Sequence, residues 1–337
     1  MNKKTFLSIV LWLAALVCCL FLADRAMRRD DGERKYGAFF AETQPIDVFF
    51  MGTSRTLDGV TPMELWRDYG ITSYNMGNSS EVLDVTEQVL RLTFEKQTPK
   101  VAMIDVYYVF RKVNDRWTYS YRHMFYDEIP FSLSKFEAIR ATLPKSRYVE
   151  FMFPFSLYHG RWEEILSGNV ERMVDCEPFM MGSEMRLERR REVGEYVRTQ
   201  DMTDEELPGF DALRRIAALC RDNGVEPVFM ALPAPISYEE QTYVNSVAPL
   251  AEELGVPFLN MMDIEGLVDF ENDCYDYLGH FNPDGATKVT AYLGKWLREN
   301  YDLEDRRGDA AYAHWDENLR LYEAYYDEHW GGMTLLK

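Results

Sequence analysis

The sequence predicts an α/β fold: a five-stranded parallel sheet with helices on both faces and a largely helical insertion after strand three. Three observations predict it. Short apolar runs bounded by turn residues recur at 48–51, 73–77, 101–105, 226–232 and 256–260, as expected of strands buried on both faces. Stretches with helical spacing of apolar residues lie between most of them. Strands alternating with helices in this way build a parallel sheet.

The elements follow in order. Val48-Phe-Phe-Met51, between Asp47 and Gly52, is the first strand. Residues 61–70 read as a helix, with Thr61 as N-cap, Pro62 in the first turn and Gly70 at the end. Residues 73–77 form a second short strand and turn. Leu83, Val89, Leu90 and Phe94 carry the next helix, and Val101-Ala-Met-Ile-Asp105 the third strand. The pattern then breaks over 107–206, rich in aromatics and Met, too long for a loop without structure of its own. It resumes with an amphipathic helix at 210–221, closed by Asn223-Gly224, and a fourth strand at 226–232. A single helix over 239–254 ends at Gly255, ahead of the fifth strand at 256–260. Asn282-Pro283-Asp284-Gly285 starts the last main helix, Asn282 capping it.

The chain has 337 residues, 47% hydrophobic and 28% charged, with a net charge of −19. That charge argues against nucleic acid, whose phosphates it would repel, and against a broad contact with anionic lipid. The five cysteines, Cys18, Cys19, Cys176, Cys220 and Cys274, form no CxxC or Cys/His cluster. Neither a zinc site nor a disulfide framework is expected, and no metal or organic cofactor is implied.

Phe6 to Ala23 is free of charge and bracketed by Lys3-Lys4 and Asp24-Arg25. As a helix it spans about 27 Å, close to a bilayer core. A cleaved signal peptide would want an Ala-x-Ala pattern near Ala23 to Ala26, and a lipoprotein site a small residue where Val17 precedes Cys18; both are missing. The expectation is an uncleaved single-pass anchor, with anchor and stem over 1–30. One α/β domain follows over 31–337, with the insertion at 107–206 and a C-terminal extension at 301–337. Arg25, Arg28, Arg29, Arg34 and Lys35 follow the span, so the Lys/Arg count points away from export. Large C-terminal domains translocate despite such charges, and an extracytoplasmic domain is the expectation.

The chemistry-bearing residues sit at two places in this pattern. Ser54, in Gly52-Thr-Ser54-Arg55, closes the first strand. Asp276-Tyr-Leu-Gly-His280 precedes the last helix. Ligands of open parallel sheets bind outside the carboxyl ends of the strands, and Ser54, Gly77, Asn78, Asp105 and Tyr107 all follow strands at that end. A serine hydroxyl is a weak nucleophile until a base takes its proton, a task for His280. A carboxylate then holds the imidazole in one tautomer. The plain alternatives are a helix-capping serine, a loop histidine and a glycine needed only for its turn. Arg55, beside the serine, is a candidate contact for an anionic substrate. His159 and Arg161, in Tyr158-His159-Gly-Arg161-Trp162, are candidate substrate contacts from the insertion, against packed or surface-paired side chains.

These residues resemble the SGNH (GDSL-like) hydrolase superfamily over most of 45–300, insertion aside. Gly52-Thr-Ser54 is similar to its first block, which carries the nucleophile. Tyr74-Asn-Met-Gly77 is similar to its second, whose glycine N–H helps bind the oxyanion. Asp276 and His280 are similar to its last, which carries the acid and the base. The resemblance implies a flavodoxin-like sheet and a Ser-His-Asp mechanism on ester bonds, with Ser54 and Gly77 contributing oxyanion donors. With an N-terminal anchor, the layout resembles bacterial envelope members that handle acyl groups on surface polymers. Its implied partners are a cell-envelope polysaccharide or acylated polymer and a membrane acyl donor. There are two departures. The acid is four residues before the histidine instead of three, so either the loop absorbs one residue or Asp273 or Asp284 takes the role. The third block has Ile104-Asp-Val-Tyr107 in place of Gly-x-Asn-Asp, leaving Asn78 as the alternative donor. Losing one such donor costs on the order of 10²–10³ in rate. The resemblance therefore leaves room for an inactive SGNH-like envelope assembly or binding protein.

Overall fold

A computed structural model describes residues 2–28, 33–167, 176–189, 193–194 and 196–331. Parts of the stem (29–32), of the insertion (168–175, 190–192, 195) and of the C-terminal extension (332–337) lie outside the described residues.

The N-terminal helix α1 (Lys3–Met27) is the one described helix long and apolar enough to cross a membrane. Strand β1 (Val48–Met51) leads into a short helix α2 (Ser54–Gly59) and then α3 (Pro62–Tyr69). Gly70 closes α3 with a left-handed φ of 62°, a conformation glycine adopts without steric cost. Strand β2 (Ser73–Asn75), helix α4 (Leu83–Phe94) and strand β3 (Val101–Asp105) complete the first half.

Among the described residues, the insertion's α-helices lie in its first part. Its longest helix is Leu133–Thr142, followed by short turns to Ser167. Between 176 and 209 the described residues hold a single 3₁₀ turn, Pro178–Met180. The insertion returns to its origin, where the Gly209 N–H donates to Val109 O at 2.7 Å.

Helix α5 (Phe210–Asp222) and strand β4 (Glu226–Ala231) resume the alternation. The expected single helix at 239–254 is two, α6 (Tyr238–Asn245) and α7 (Val247–Leu254). Pro249 lacks the N–H that Asn245 O would receive, and its ring crowds that carbonyl, so the helix breaks at Ser246. A capping box of Ser237 and Glu240 starts α6. Strand β5 (Phe258–Asn260) is shorter than its sequence run and lies at the sheet edge. Helix α8 (Pro283–Asn300) is capped by Asn282, whose Oδ1 accepts from the Asp284 and Gly285 N–H groups at 3.0 and 3.2 Å.

All five strands are parallel, in the order β2-β1-β3-β4-β5, that of flavodoxin-like folds. Side chains alternate between two cores. Phe49, Met51, Ala102, Ile104, Phe229 and Ala231 face α4 and α5. Val48, Phe50, Val101, Met103, Val228 and Met230 share the opposite core with Val289, Leu293 and Leu297 of α8. The strand order reverses at β1, which leaves a crevice at the carboxyl ends of β1 and β3.

The C-terminal extension packs on this body. Trp315 of helix α9 (Ala313–Tyr326) lies 5.5 Å from Trp66 of α3, ring to ring, and its indole N–H donates to Glu42 Oε2 at 3.1 Å. The Tyr322 hydroxyl donates to Glu64 Oε1 at 3.0 Å.

Candidate active site

The carboxyl end of β1 forms the nucleophile turn. A Cβ at Gly52 would lie 2.5 Å from both Asp105 Cβ and Thr56 Oγ1, so only glycine lets β1 and β3 approach here. Thr53 caps α2, accepting from the Arg55 N–H at 3.3 Å. The hydroxyls of Thr53 and Thr56 donate to Asp105 Oδ2 at 3.1 and 3.2 Å, and the Tyr107 N–H donates to Asp105 Oδ1 at 3.0 Å. Burial raises the Asp105 carboxyl above its ordinary range, against these bonds and the nearby Arg55 charge. Asp105 thus ties the turn after β1 to the turn after β3. Sequence reading placed it only as the end of a strand; an acid in a wholly buried strand was the available signal.

Ser54 is the first residue of α2, with its side chain toward the loop before α8. Its Oγ lies 2.7 Å from His280 Nε2. The His280 Nδ1 lies 2.7 Å from Asp276 Oδ2. An ionised carboxylate only accepts, which places the proton on Nδ1 and leaves Nε2 to accept from the Ser54 hydroxyl. Burial would raise the Asp276 carboxyl, but the hydrogen bonds from the His280 ring and from the His280 and Leu278 N–H groups outweigh it and hold the group below its ordinary range.

The loop carrying the acid and base is a narrow hairpin. Cys274 and Phe281 form an antiparallel bridge, and the Tyr275 N–H donates to His280 O at 3.0 Å. At its tip, Asp276 Oδ1 accepts from the N–H groups of Leu278 and His280 at 3.0 and 3.1 Å. Gly279 has a left-handed φ of 82°, and a Cβ there would stand 2.1 Å from Pro235 Cδ. That glycine absorbs the fourth residue of the Asp-to-His spacing. Asp273 and Asp284 are engaged elsewhere: Asp273 pairs with Lys288 at 2.6 Å, and Asp284 accepts from Arg189 and the Trp330 indole.

Two electrostatic details support the pair. The Tyr275 ring stacks on His280 at 5.6 Å between centroids. Asp58, one turn after Ser54, is pushed well above the usual carboxylate range by burial and by the Glu184 carboxyl. That shift disfavours a second negative charge beside Asp276 and His280.

The oxyanion side differs from expectation. The Ser54 N–H, at the start of α2, has no acceptor among the described residues and is a free donor. The Gly77 N–H instead donates to Asn75 Oδ1 at 2.9 Å. Gly77 is required sterically, since a Cβ there would lie 2.6 Å from Leu57 N. The Asn78 N–H donates to Gly52 O at 2.9 Å, and its side-chain amide donates to Tyr121 O at 3.3 Å. The backbone N–H groups of Gly77 and Asn78, both expected as oxyanion donors, are thus engaged within the protein and hold the second strand's turn against the nucleophile turn. The Asn75 amide completes that brace, donating to Thr56 O and Val60 O at 2.7 Å each.

Arg55 is buried and bridges three segments. Its Nη2 donates to Leu278 O at 2.9 Å, and its guanidinium lies 3.7 Å from the centroid of the Tyr107 ring. Its Nη1 is buried with no partner among the described residues. His159 and Arg161 are placed elsewhere. His159 bonds Ser156 O at 3.0 Å; Arg161 pairs with Glu164 and donates to Met27 O at 2.9 Å, at the end of α1. Both expected substrate contacts thus have partners within the insertion and at the end of α1.

No protein-family model matches the chain, and no curated protein matches it. A hydroxyl, an imidazole and an ionised carboxylate in one hydrogen-bonded line, with a free N–H at the nucleophile, form a constellation suited to acyl transfer. Among the described residues no group of acids, histidines or cysteines is arranged to hold a metal.

Proposed function

We propose that this chain is a membrane-anchored serine esterase or O-acyltransferase of the SGNH type, acting on acyl groups of a cell-envelope polysaccharide or polymer. The observation that carries the reading is the unbroken line Ser54–His280–Asp276, at 2.7 Å for each link. Ser54 Oγ attacks the ester carbonyl and its proton passes to His280 Nε2. The Ser54 N–H faces the developing oxyanion. Collapse releases the alcohol with the proton from His280 and leaves an acyl-Ser54 ester. Water or a sugar hydroxyl then gives its proton to His280, attacks that ester and frees Ser54. The Arg55 guanidinium braces the loop and has one nitrogen left for an anionic group on the substrate. The apolar α1 supports membrane anchoring, and the extracytoplasmic side belongs to the proposal.

The test uses the full chain in detergent micelles with p-nitrophenyl acetate and a fluorophosphonate probe, beside Ser54→Ala and His280→Ala. Turnover and labelling in the wild type, abolished in both variants, is the expected result. Protease treatment of intact cells tests sidedness; complete protection of the domain would overturn export.

One observation favours a second reading. Among the described residues the Gly77 and Asn78 backbone N–H groups are engaged, which leaves the oxyanion fewer backbone donors than the resemblance implies. A non-catalytic envelope assembly protein that keeps the fold and binds a polymer would need none. Silence toward the probe from a folded wild type would favour it.

A further inference from the structure

Outside α1, the five most exposed large apolar side chains among the described residues all belong to one stretch of the insertion. They are Leu166 at 79%, Phe131 and Leu133 at 71%, Val149 at 68% and Phe153 at 57%. Phe131 and Phe153 touch ring to ring at 5.8 Å. With Leu133 and Val149 they line an open apolar groove of about 490 Å³. Trp162, half exposed, lies on the same turn-rich segment as Leu166. Water-exposed apolar clusters of this kind mark an interaction surface.

What covers it is indicated by its attachments. The short helix Phe155–Tyr158 packs on α1. Arg161 donates to Met27 O at 2.9 Å, Arg28 donates to Asp127 O, and Arg25 lies 3.9 Å from Glu128. These contacts fix the insertion to the last turn of α1. The apolar span ends at Ala23, where Asp24 and Arg25 begin the charged segment, so that turn lies where hydrocarbon gives way to headgroups. Phe131 and Leu133 follow Asp127 and Glu128 by a few residues; Phe153, Trp162 and Leu166 flank the α1 contact. Arg140 and Lys145, with Glu137, line an adjoining pocket that shares Phe136 and Tyr148 with the groove, and long basic side chains of this kind reach toward lipid phosphates.

Resting on the reading of α1 as a membrane anchor, we infer that this stretch of the insertion is seated in the interfacial layer of the bilayer that α1 crosses. The domain is then held at two places. α1 fixes its distance from the membrane, and the patch fixes its tilt, so the Ser54 crevice keeps one orientation to lipid-borne groups. The occupant is lipid, because the patch continues directly from a lipid-crossing segment.

The test is nitroxide accessibility of the full chain in phosphatidylcholine vesicles. A Cys18→Ser, Cys19→Ser background leaves Cys176, Cys220 and Cys274, all buried. Single labels go to Val149→Cys, Phe153→Cys and Leu166→Cys, with Leu11→Cys in the anchor and Glu299→Cys at an exposed position of α8. Labels at 149, 153 and 166 are expected to favour oxygen over a water-soluble nickel chelate, at depths of about 5–10 Å below the headgroup boundary. Leu11 is expected deeper and Glu299 in water. Lipid exposure at 11 with water-like values at 149, 153 and 166 would overturn the inference and leave the anchor standing. Water-like values at 11 as well would overturn both. Immobilised labels shielded from both reagents would overturn it in favour of a second protein copy on the patch.

Discussion

Asp276 holds His280 twice: Oδ2 lies 2.7 Å from the ring Nδ1, and Oδ1 accepts the backbone N–H of the same residue at 3.1 Å. One carboxylate therefore sets both the tautomer of the imidazole and the path of the loop that carries it. The four-residue spacing makes the second bond possible, because the chain closes a full turn between acid and base.

Asp276→Asn is expected to lower kcat for p-nitrophenyl acetate by roughly 10³–10⁴, since an amide can donate to Nδ1 and favour the wrong tautomer. Asp284→Asn should stay within about threefold, because Asp284 pairs with Arg189 and Trp330. Steady-state kinetics on both variants decides. A larger loss in the Asp284 variant would move the acid's role away from Asp276.

Gly279→Ala should lower both Tm and kcat. Its left-handed φ of 82° costs a Cβ-bearing residue about 1 kcal/mol, and the methyl would also strike Pro235. A displaced loop breaks the Ser54–His280 bond, so fluorophosphonate labelling should slow more than Tm alone explains. Unchanged labelling in a destabilised variant would show that the hairpin tip tolerates the shift.

Asp105→Ala removes the acceptor of three hydrogen bonds that join the turns after β1 and β3. Leaving those donors buried costs roughly 1–3 kcal/mol each at most, and the Ser54 turn loses its tether. Asp105→Asn keeps acceptor capacity and should retain more labelling than the alanine variant. Equal labelling in both variants would remove Asp105 from the positioning of Ser54.

The legible part of this fold was the part written in short-range pattern. β1, β3 and α4 begin and end where the apolar runs do, because a buried parallel strand or an amphipathic helix needs little beyond its own residues. Ser54, Asp276 and His280 were placed by their positions after β1 and before α8. The donor side was not legible, since whether the Gly77 N–H is free depends on the rotamer of Asn75, two residues away. The brace by Asp105 joins residues 52 positions apart, and its one local signal is an acid at the end of an otherwise apolar buried strand. In the insertion, Arg161 looked available for substrate because nothing nearby in sequence announces its partner at Met27.

A pH dependence follows from Glu81, buried among α4 and the insertion, where Oε1 accepts from the Thr86 hydroxyl at 2.8 Å. Burial pushes its carboxyl up to about 8 from an ordinary 4.5, despite the Thr86 bond and the Lys35 charge. The unfolded chain loses this proton near 4.5, whereas the folded protein holds it until about 8. Between those values the unfolded state binds fewer protons, so stability falls as pH rises. The contribution is complete below about pH 4.5 and gone above about 8. Glu81→Gln keeps the shape and an acceptor for Thr86 but cannot ionise. Thermal melts at pH 5 and pH 8 should show a smaller drop in Tm across that interval for the variant than for the wild type. An equal drop would mean that Glu81 ionises in the folded protein near its ordinary value, with the Lys35 ammonium compensating its charge.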